Sequence, residues 1–183
     1  MDPLTQGVLG ASLPQATAGG RRHAAVAGLL GFLAGMAADL DVLIRSDTDP
    51  LLFLEYHRQF SHSLLFIPIG GLICALVLHR LLARRWGLGF RQTWLFCTLG
   101  YATHALLDAC TTYGTMLFWP FSDVRVAWNT ISIIDPLFTL PLLAGCLAAL
   151  LMTGDRRLGR RLNMVGLLLC LSYTLWAAGV REF

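Results

Sequence analysis

The chain has 183 residues, of which 56% are hydrophobic and only 14% are charged. Soluble domains usually carry about 25% charged residues, so this composition argues against both a disordered chain and an ordinary soluble domain. The net charge of +3 comes from 14 arginines against 11 acidic residues, and the sequence contains no lysine. Because the arginines are scattered in short clusters, we expect no nucleic-acid-binding surface.

Apolar segments of the length needed to cross a bilayer, ~20 residues, recur along the chain. Residues 4–18 come first, are interrupted by Pro14 and are too short to span. They predict a short interfacial or re-entrant helix, and the start of the chain has no basic segment typical of a cleaved signal peptide. The rest predicts an all-α, polytopic integral membrane helical bundle that forms a single membrane domain over 1–183. Its five predicted spans are about 24–44, 62–83, 93–111, 131–152 and 162–180.

The arginines indicate an orientation for these spans. Three basic clusters fall in alternate connections, at 21–22, 80–91 and 156–161. The intervening stretches 45–60 and 112–130 hold only two and one arginines. Since basic residues are enriched in cytoplasmic loops, we predict a cytoplasmic N-terminus and an outward-facing C-terminus.

Ionisable residues cluster at the predicted outer ends of the spans, where burial makes them costly and therefore informative. His104 and Asp108 are four residues apart, which places them on one face of a helix. Such a pair either binds a metal or is a histidine hydrogen-bonded to an aspartate within the bundle. The residues predicted to share one site are Asp39, Asp41, His57, His62, His104 and Asp108.

A set of imidazoles and carboxylates in apolar surroundings favours a bound divalent metal, because coordination offsets the burial of charge. Zinc suits these ligands best, and manganese or iron is possible. The six candidates would hold either one ion and its supporting partners or two ions. Arg58 and Arg125 lie on the same predicted side and would either bind a phosphate through the guanidinium or meet lipid headgroups.

Several short segments together resemble the YdjM/YbcI-like family of bacterial inner-membrane proteins, whose members are predicted to be membrane-bound metal-dependent hydrolases. The segments are MDPLTQG at 1–7, GMAADLD at 35–41, HRQFSHS at 57–63, HALLD at 104–108, YGT at 113–115 and WPF at 119–121. The resemblance covers about residues 1–140 and implies a metal site built from the same six residues. Many relatives have histidine where this chain has Gln6, and an amide is a poor metal ligand, so Gln6 is not included.

These observations predict a hydrolase of the bacterial inner membrane that acts on an ester or phosphoester of a lipid or lipid-linked substrate at the outer face. Asp39 or Asp41 would accept the proton of the attacking water, and Arg58 would bind the substrate, so these three are the predicted catalytic residues. The alternatives are a metal-ion carrier and a non-enzymatic structural membrane protein. A carrier needs polar groups that continue toward the inner face, and the sequence indicates none below His104. A metal-free lipid phosphatase is disfavoured, since residues 60–63 and 95–103 lack its PSGH-like segment and arginine.

Overall fold

This computed structural model describes residues 1–19, 21–44, 48, 56–152 and 155–180. Within these ranges the regular structure consists of six α-helices and three short 3-10 helices. The α-helices are α1 (Pro3–Thr17), α2 (Arg21–Ala37), α3 (Ile67–Leu81), α4 (Phe90–Ala109), α5 (Pro136–Leu151) and α6 (Arg156–Val180). The 3-10 helices are Ala38–Leu43, Phe60–His62 and Ala83–Trp86. Within these ranges the only β-type pairing is an isolated antiparallel bridge between Thr115 and Val126. The all-α prediction is confirmed.

The prediction of five spans is supported only in part. Among the described residues, two helical stretches are both long and apolar enough to cross a membrane, His23–Leu43 and Arg156–Val180. The helices α3 and α5 are apolar but have 15 and 16 residues, fewer than the ~20 that a perpendicular crossing requires. The number of crossings therefore stays a prediction.

The N-terminal helix α1 lies in the middle of the bundle, which argues against the interfacial alternative of the prediction, whereas the re-entrant alternative stays a prediction. It packs against α2, α4, α5 and α6. Asp2 caps this helix by accepting a hydrogen bond from the Thr5 backbone N–H at 3.0 Å, and Pro3 occupies its first turn. Ten of its 15 residues are buried, so its weak amphipathic pattern reflects burial on several sides and not a membrane surface.

Glycines allow α1, α2 and α4 to approach closely. A Cβ on Gly10 would lie 2.6 Å from the carbonyl oxygen of Gly31, and a Cβ on Gly100 would lie 2.6 Å from the Cα of Gly31. Side chains at these positions would force the backbones apart, as expected where small residues mediate helix packing in membranes. This contact fixes how the three helices are aligned along their length, and therefore where their ends meet.

Large apolar side chains on α3 and α6 point away from the bundle. Leu76 on α3 is 58% exposed, and Leu175 and Trp176 on α6 are 63% and 65% exposed. An exposed apolar surface of this kind is unfavourable in water and is suited to contact with lipid.

Candidate metal centre

Three elements bring the central residues of the candidate site together. The 3-10 helix that continues α2 carries Asp39 and Asp41, and the 3-10 helix Phe60–His62 ends in His62. The C-terminal half of α4 contributes His104 and Asp108, one turn apart. Residues separated by up to 69 positions in the chain thus meet at one end of the bundle.

Four side-chain atoms from these elements face one another. We call them the four-atom cluster, and they are Asp39 Oδ1, His62 Nε2, His104 Nε2 and Asp108 Oδ2. Each imidazole nitrogen lies 3.3 Å from Asp108 Oδ2. From Asp39 Oδ1 the distances are 3.2 Å to His104 Nε2 and 3.6 Å to His62 Nε2. Two ligands bound to one tetrahedral zinc at ~2.0–2.1 Å would lie roughly 3.3–3.4 Å apart, so these four separations match that spacing.

Hydrogen bonds on the far side of each ring orient the imidazole so that Nε2 faces the cluster. The His104 Nδ1–H donates to the carbonyl oxygen of Gly35. Ser61 Oγ donates to Asp41 Oδ2 at 2.7 Å, so it accepts from His62 Nδ1–H at 2.9 Å. Both rings therefore turn Nε2 toward the cluster, and an imidazole that keeps its only proton on Nδ1 offers Nε2 as a ligand, which is the arrangement that supporting partners impose on metal-binding histidines.

The cluster has the character of a cation site because two of its buried atoms are left unpaired by the described residues. His62 Nε2 and Asp108 Oδ2 are buried and have no hydrogen-bond partner in the described part of the chain, although Arg58 Nε lies 3.2 Å from Asp108 Oδ2. His104 Nε2 and Asp39 Oδ1 lie within hydrogen-bond distance of each other, at 3.2 Å, so the unpaired atoms are those of His62 and Asp108. Unpaired buried polar atoms cost about 1–3 kcal/mol each. A divalent ion between the four atoms would compensate all of them, so the residues present fit a metal.

Burial is uneven around the cluster. The side chains of His62, His104 and Asp108 are fully buried, whereas the Asp39 side chain is 29% exposed. A ligand from outside would therefore reach the cluster beside Asp39.

The predicted ligands Asp41 and His57 lie next to the four-atom cluster and not within it. Asp41 Oδ1 is 2.8 Å from His57 Nδ1, and Asp41 Oδ2 accepts from the Arg58 backbone N–H at 3.0 Å as well as from Ser61. Together with Asp39 they form a second group of possible ligands. Both Asp41 oxygens already have partners, so its evident contribution is to hold His62 and His57 in place.

Arg58 is also brought to the site, through an unusual backbone conformation. Its φ of 60° is rare for a residue with a side chain, and its carbonyl oxygen accepts from the Met116 backbone N–H at 3.1 Å. Its Nε lies 3.2 Å from Asp108 Oδ2, and its Nη1 donates to Thr111 Oγ1 at 3.4 Å. Arg58 therefore pairs with a candidate ligand, and its predicted role in binding substrate stays a prediction.

Met1, which precedes α1, and Gln6, in the first turns of α1, contact the site, although the sequence pattern does not indicate either of them. Gln6 Nε2 donates to Asp108 Oδ1 at 2.9 Å, and the ammonium group of Met1 pairs with the same oxygen. An amide is a poor metal ligand, so the sequence does not place Gln6 among the ligands. Its position in the 1–7 segment, which carries the family resemblance, is the one feature of the sequence that points to a role at the site. Its amide holds a candidate ligand and is not one itself.

Comparisons with known proteins identify the family of the chain. A family model described as YdjM inner membrane protein matches residues 1–180. A curated relative, Inner membrane protein YbcI of Escherichia coli strain K12, is 34% identical over 108 residues. The match covers 56% of this chain and 60% of the relative, which is less than two thirds of its length. No solved structure matches the chain.

Proposed function

The chain belongs to the YdjM inner membrane protein family, and we propose that it is a metal-dependent hydrolase that cleaves an ester or phosphoester in a lipid or lipid-linked substrate. The observation that carries this proposal is the four-atom cluster, in which two imidazole Nε2 atoms and two carboxylate oxygens converge. Two of these atoms, His62 Nε2 and Asp108 Oδ2, are buried without a hydrogen-bond partner among the described residues. The partial exposure of Asp39 leaves one side on which a substrate can approach.

The proposed ion is zinc, with manganese or iron as the alternatives. The fully buried residues His62, His104 and Asp108 would hold it, and Asp39, the exposed fourth member, would yield its position to the attacking water, as a catalytic zinc site requires. Imidazole with carboxylate suits all three metals. Such an ion supplies Lewis-acid polarisation of the scissile group and makes water a stronger nucleophile. The chain's own residues supply orientation, proton transfer and substrate contacts.

Asp39 is better suited than Asp41 to accept the proton of the attacking water. Both oxygens of Asp41 are engaged by His57, Arg58 and Ser61, and its side chain is 1% exposed. Asp39 is the more accessible carboxylate of the pair. General-base catalysis requires a carboxylate within hydrogen-bond reach of the water, and Asp39 meets the condition of access.

A lipid substrate is supported by the surroundings of the site. Leu40 and Leu43, on the 3-10 helix that carries Asp39, are 61% and 71% exposed. Apolar side chains flanking a polar centre suit a substrate with an acyl or prenyl tail and a polar head. The bias of arginines toward alternate connections supports five spans, a cytoplasmic N-terminus and a site at the outer face.

The test is a hydrolysis screen of a bacterial lipid extract with purified, metal-loaded protein, read by mass spectrometry of the products. We expect wild-type protein to release a product, chelation to stop the reaction, and added zinc or manganese to restore it. The His104→Ala variant is the control and should be inactive. A variant that keeps full metal content and full activity would show that His104 is only a structural contact.

A metal-ion carrier is the second candidate, and one observation favours it. The sequence indicated no polar groups beyond His104 toward the other end, yet Ser12, Gln15 and Asn163 are buried there. Gln15 Oε1 and Asn163 Oδ1 have no hydrogen-bond partner within the described ranges. Metal uptake into proteoliposomes, without cleavage of any lipid, would favour the carrier, and a protein that binds no metal would favour the structural alternative.

A further inference from the structure

A guanidinium group beside the candidate site has an unused donor. The bridge between Thr115 and Val126 places the preceding residue, Arg125, against the loop that carries His57. Arg125 Nη2 donates to the carbonyl oxygen of His57 at 3.1 Å. Its Nη1 is buried and has no hydrogen-bond partner in the described part of the chain. A buried cationic donor without an acceptor is costly, and this cost indicates an absent acceptor.

A second guanidinium lies close to the same ring. The Cζ atom of Arg125 lies 5.0 Å from the centroid of the Tyr113 ring, and the Cζ atom of Arg58 lies 4.9 Å from it. The face of an aromatic ring attracts a cation, but two cations near one ring repel each other. An anion that contacts both groups would relieve this repulsion.

The charge around the centre also favours an anion once a metal is bound. Three carboxylates lie in or beside the four-atom cluster, those of Asp39, Asp41 and Asp108, and Asp108 also pairs with the guanidinium of Arg58. A divalent ion and the two arginines carry four positive charges, and the three carboxylates carry three negative charges. One positive charge is therefore left over, even before the Met1 ammonium is counted. A phosphate group, with one or two negative charges, matches this excess better than a neutral carboxylic ester does.

We propose that Arg125 binds the phosphate group of the substrate, and that this substrate is a phosphate ester. The inference rests on the proposed hydrolase function and specifies its substrate class. Arg125 has the free Nη1 donor, whereas Arg58 has its Nε beside Asp108 and its Nη1 on Thr111. Arg58 is therefore a positioning residue for Asp108, and Arg125 is the primary phosphate contact. A guanidinium is suited to this role because it offers two parallel N–H donors to phosphate oxygens.

The experiment measures phosphate affinity and metal content on the same samples. Wild-type, Arg125→Gln, Arg125→Lys and Arg160→Gln proteins are loaded with metal, freed of unbound ions and assayed for bound metal and melting temperature. Inorganic phosphate is then titrated calorimetrically into protein in phosphatidylcholine nanodiscs. Arg160 is the matched control, because it is an exposed arginine of α6 in a cavity at the opposite end of the bundle.

We expect Arg125→Gln to weaken phosphate binding by about 10- to 100-fold, the effect of losing a charge-assisted hydrogen bond, at unchanged metal content. Arg125→Lys keeps the charge but loses the paired donors, so its phosphate affinity should lie between that of wild-type protein and that of Arg125→Gln. Arg160→Gln should behave as wild type. A second arm repeats the titration in nanodiscs that also contain phosphatidic acid. Competition there supports a lipid-borne phosphate, and its absence supports a soluble one.

Wild-type phosphate affinity in a folded, metal-loaded Arg125→Gln protein would overturn the proposal. If Arg125→Gln misfolds or loses metal, wild-type phosphate affinity in a folded, metal-loaded Arg125→Lys protein would overturn the proposal instead. Wild-type protein that binds metal but neither phosphate nor phosphatidic acid would overturn the phosphate site and leave a carboxylic-ester hydrolase possible. Wild-type protein that binds no metal, but binds phosphate through Arg125, would support the phosphate site while the metal centre fails.

Discussion

His62 Nε2 lies 3.3 Å from Asp108 Oδ2 with no hydrogen bond between them, although both atoms are fully buried. Ser61 accepts from the other ring nitrogen of His62, so the proton of a neutral imidazole lies on Nδ1, and Nε2 and the carboxylate oxygen are then both acceptors. Two acceptors held this close without a donor repel each other, and the fold maintains the contact through helix α4 and the 3-10 helix Phe60–His62. A cation between them is the simplest physical reason for the arrangement.

Replacement of Asp108 by asparagine should remove most of the bound metal. The substitution keeps the shape of the side chain but deletes the negative charge at the centre of the cluster, beside Arg58 and the Met1 ammonium. His104→Ala should have the same effect through loss of a donor nitrogen. The measurement is metal content by mass spectrometry after purification in detergent, with Arg160→Gln as control. Full occupancy in both variants would mean that these residues are not ligands.

How much of this centre the sequence predicts depends on the element involved. The spacing of His104 and Asp108 gives their shared helical face directly, since α4 is regular there. The position of Asp41 beside the cluster, and not in it, follows from the 3-10 turn and from the φ of 60° at Arg58, which no periodicity reveals. Local pattern therefore predicts which residue types are at the site, and tertiary packing decides which atoms face its centre.

The sequence does not predict that α1 contributes to the site, and the reason is a different one. Gln6 reaches Asp108 only because α1 is buried at the centre of the bundle, in close contact with α2 and α4. Residues 4–18 are short and interrupted by Pro14, features that are equally typical of a surface helix. Burial of such a helix depends on the glycines of its neighbours, which lie far away in the sequence.

Removal of the Asp41 charge should weaken metal binding without abolishing it. In the structure Asp41 holds His62 through Ser61 and also contacts His57, so Asp41→Asn loosens the orientation of a ligand and leaves the four-atom cluster complete. Substitution of such supporting partners typically costs 10- to 100-fold in metal affinity. Competition with a chromogenic chelator measures this change. A loss as complete as that of Asp108→Asn would instead make Asp41 a direct ligand.

The metal content of wild-type protein should be about one ion per chain. The second group, Asp39, Asp41 and His57, shares Asp39 with the four-atom cluster, and Asp41 already has protein partners on both oxygens. Elemental analysis against protein concentration by amino-acid analysis gives the ratio. Two ions per chain, reduced to one by His57→Ala, would show that this second group binds metal as well.

Reporter fusions should show that the chain alternates across the membrane. The arginine clusters predict that fusions after residues 50, 88, 120 and 157 read outside, inside, outside and inside. Paired alkaline phosphatase and fluorescent protein reporters at each position control for expression, because each is active on only one side. Any other alternation would place the candidate site on a different face and remove the basis for an outer-leaflet substrate.

Close packing of α1 on α2 should be required for both stability and metal binding. A Cβ on Gly31 would lie 2.6 Å from Pro14 Cγ and would also meet the Gly10 carbonyl, so Gly31→Ala must push the two helices apart. Overpacking of this kind costs about 1–3 kcal/mol. The same displacement shifts the Gly35 carbonyl that orients His104, so metal affinity should fall together with the melting temperature.

Gly179→Ala is the matched control, since a Cβ there meets nothing within 4 Å. Thermal unfolding in detergent, followed by metal titration of both variants, makes the comparison. Equal melting temperatures would contradict the proposed role of this contact, and a destabilised Gly31→Ala protein with wild-type metal affinity would show that the site tolerates movement of α2.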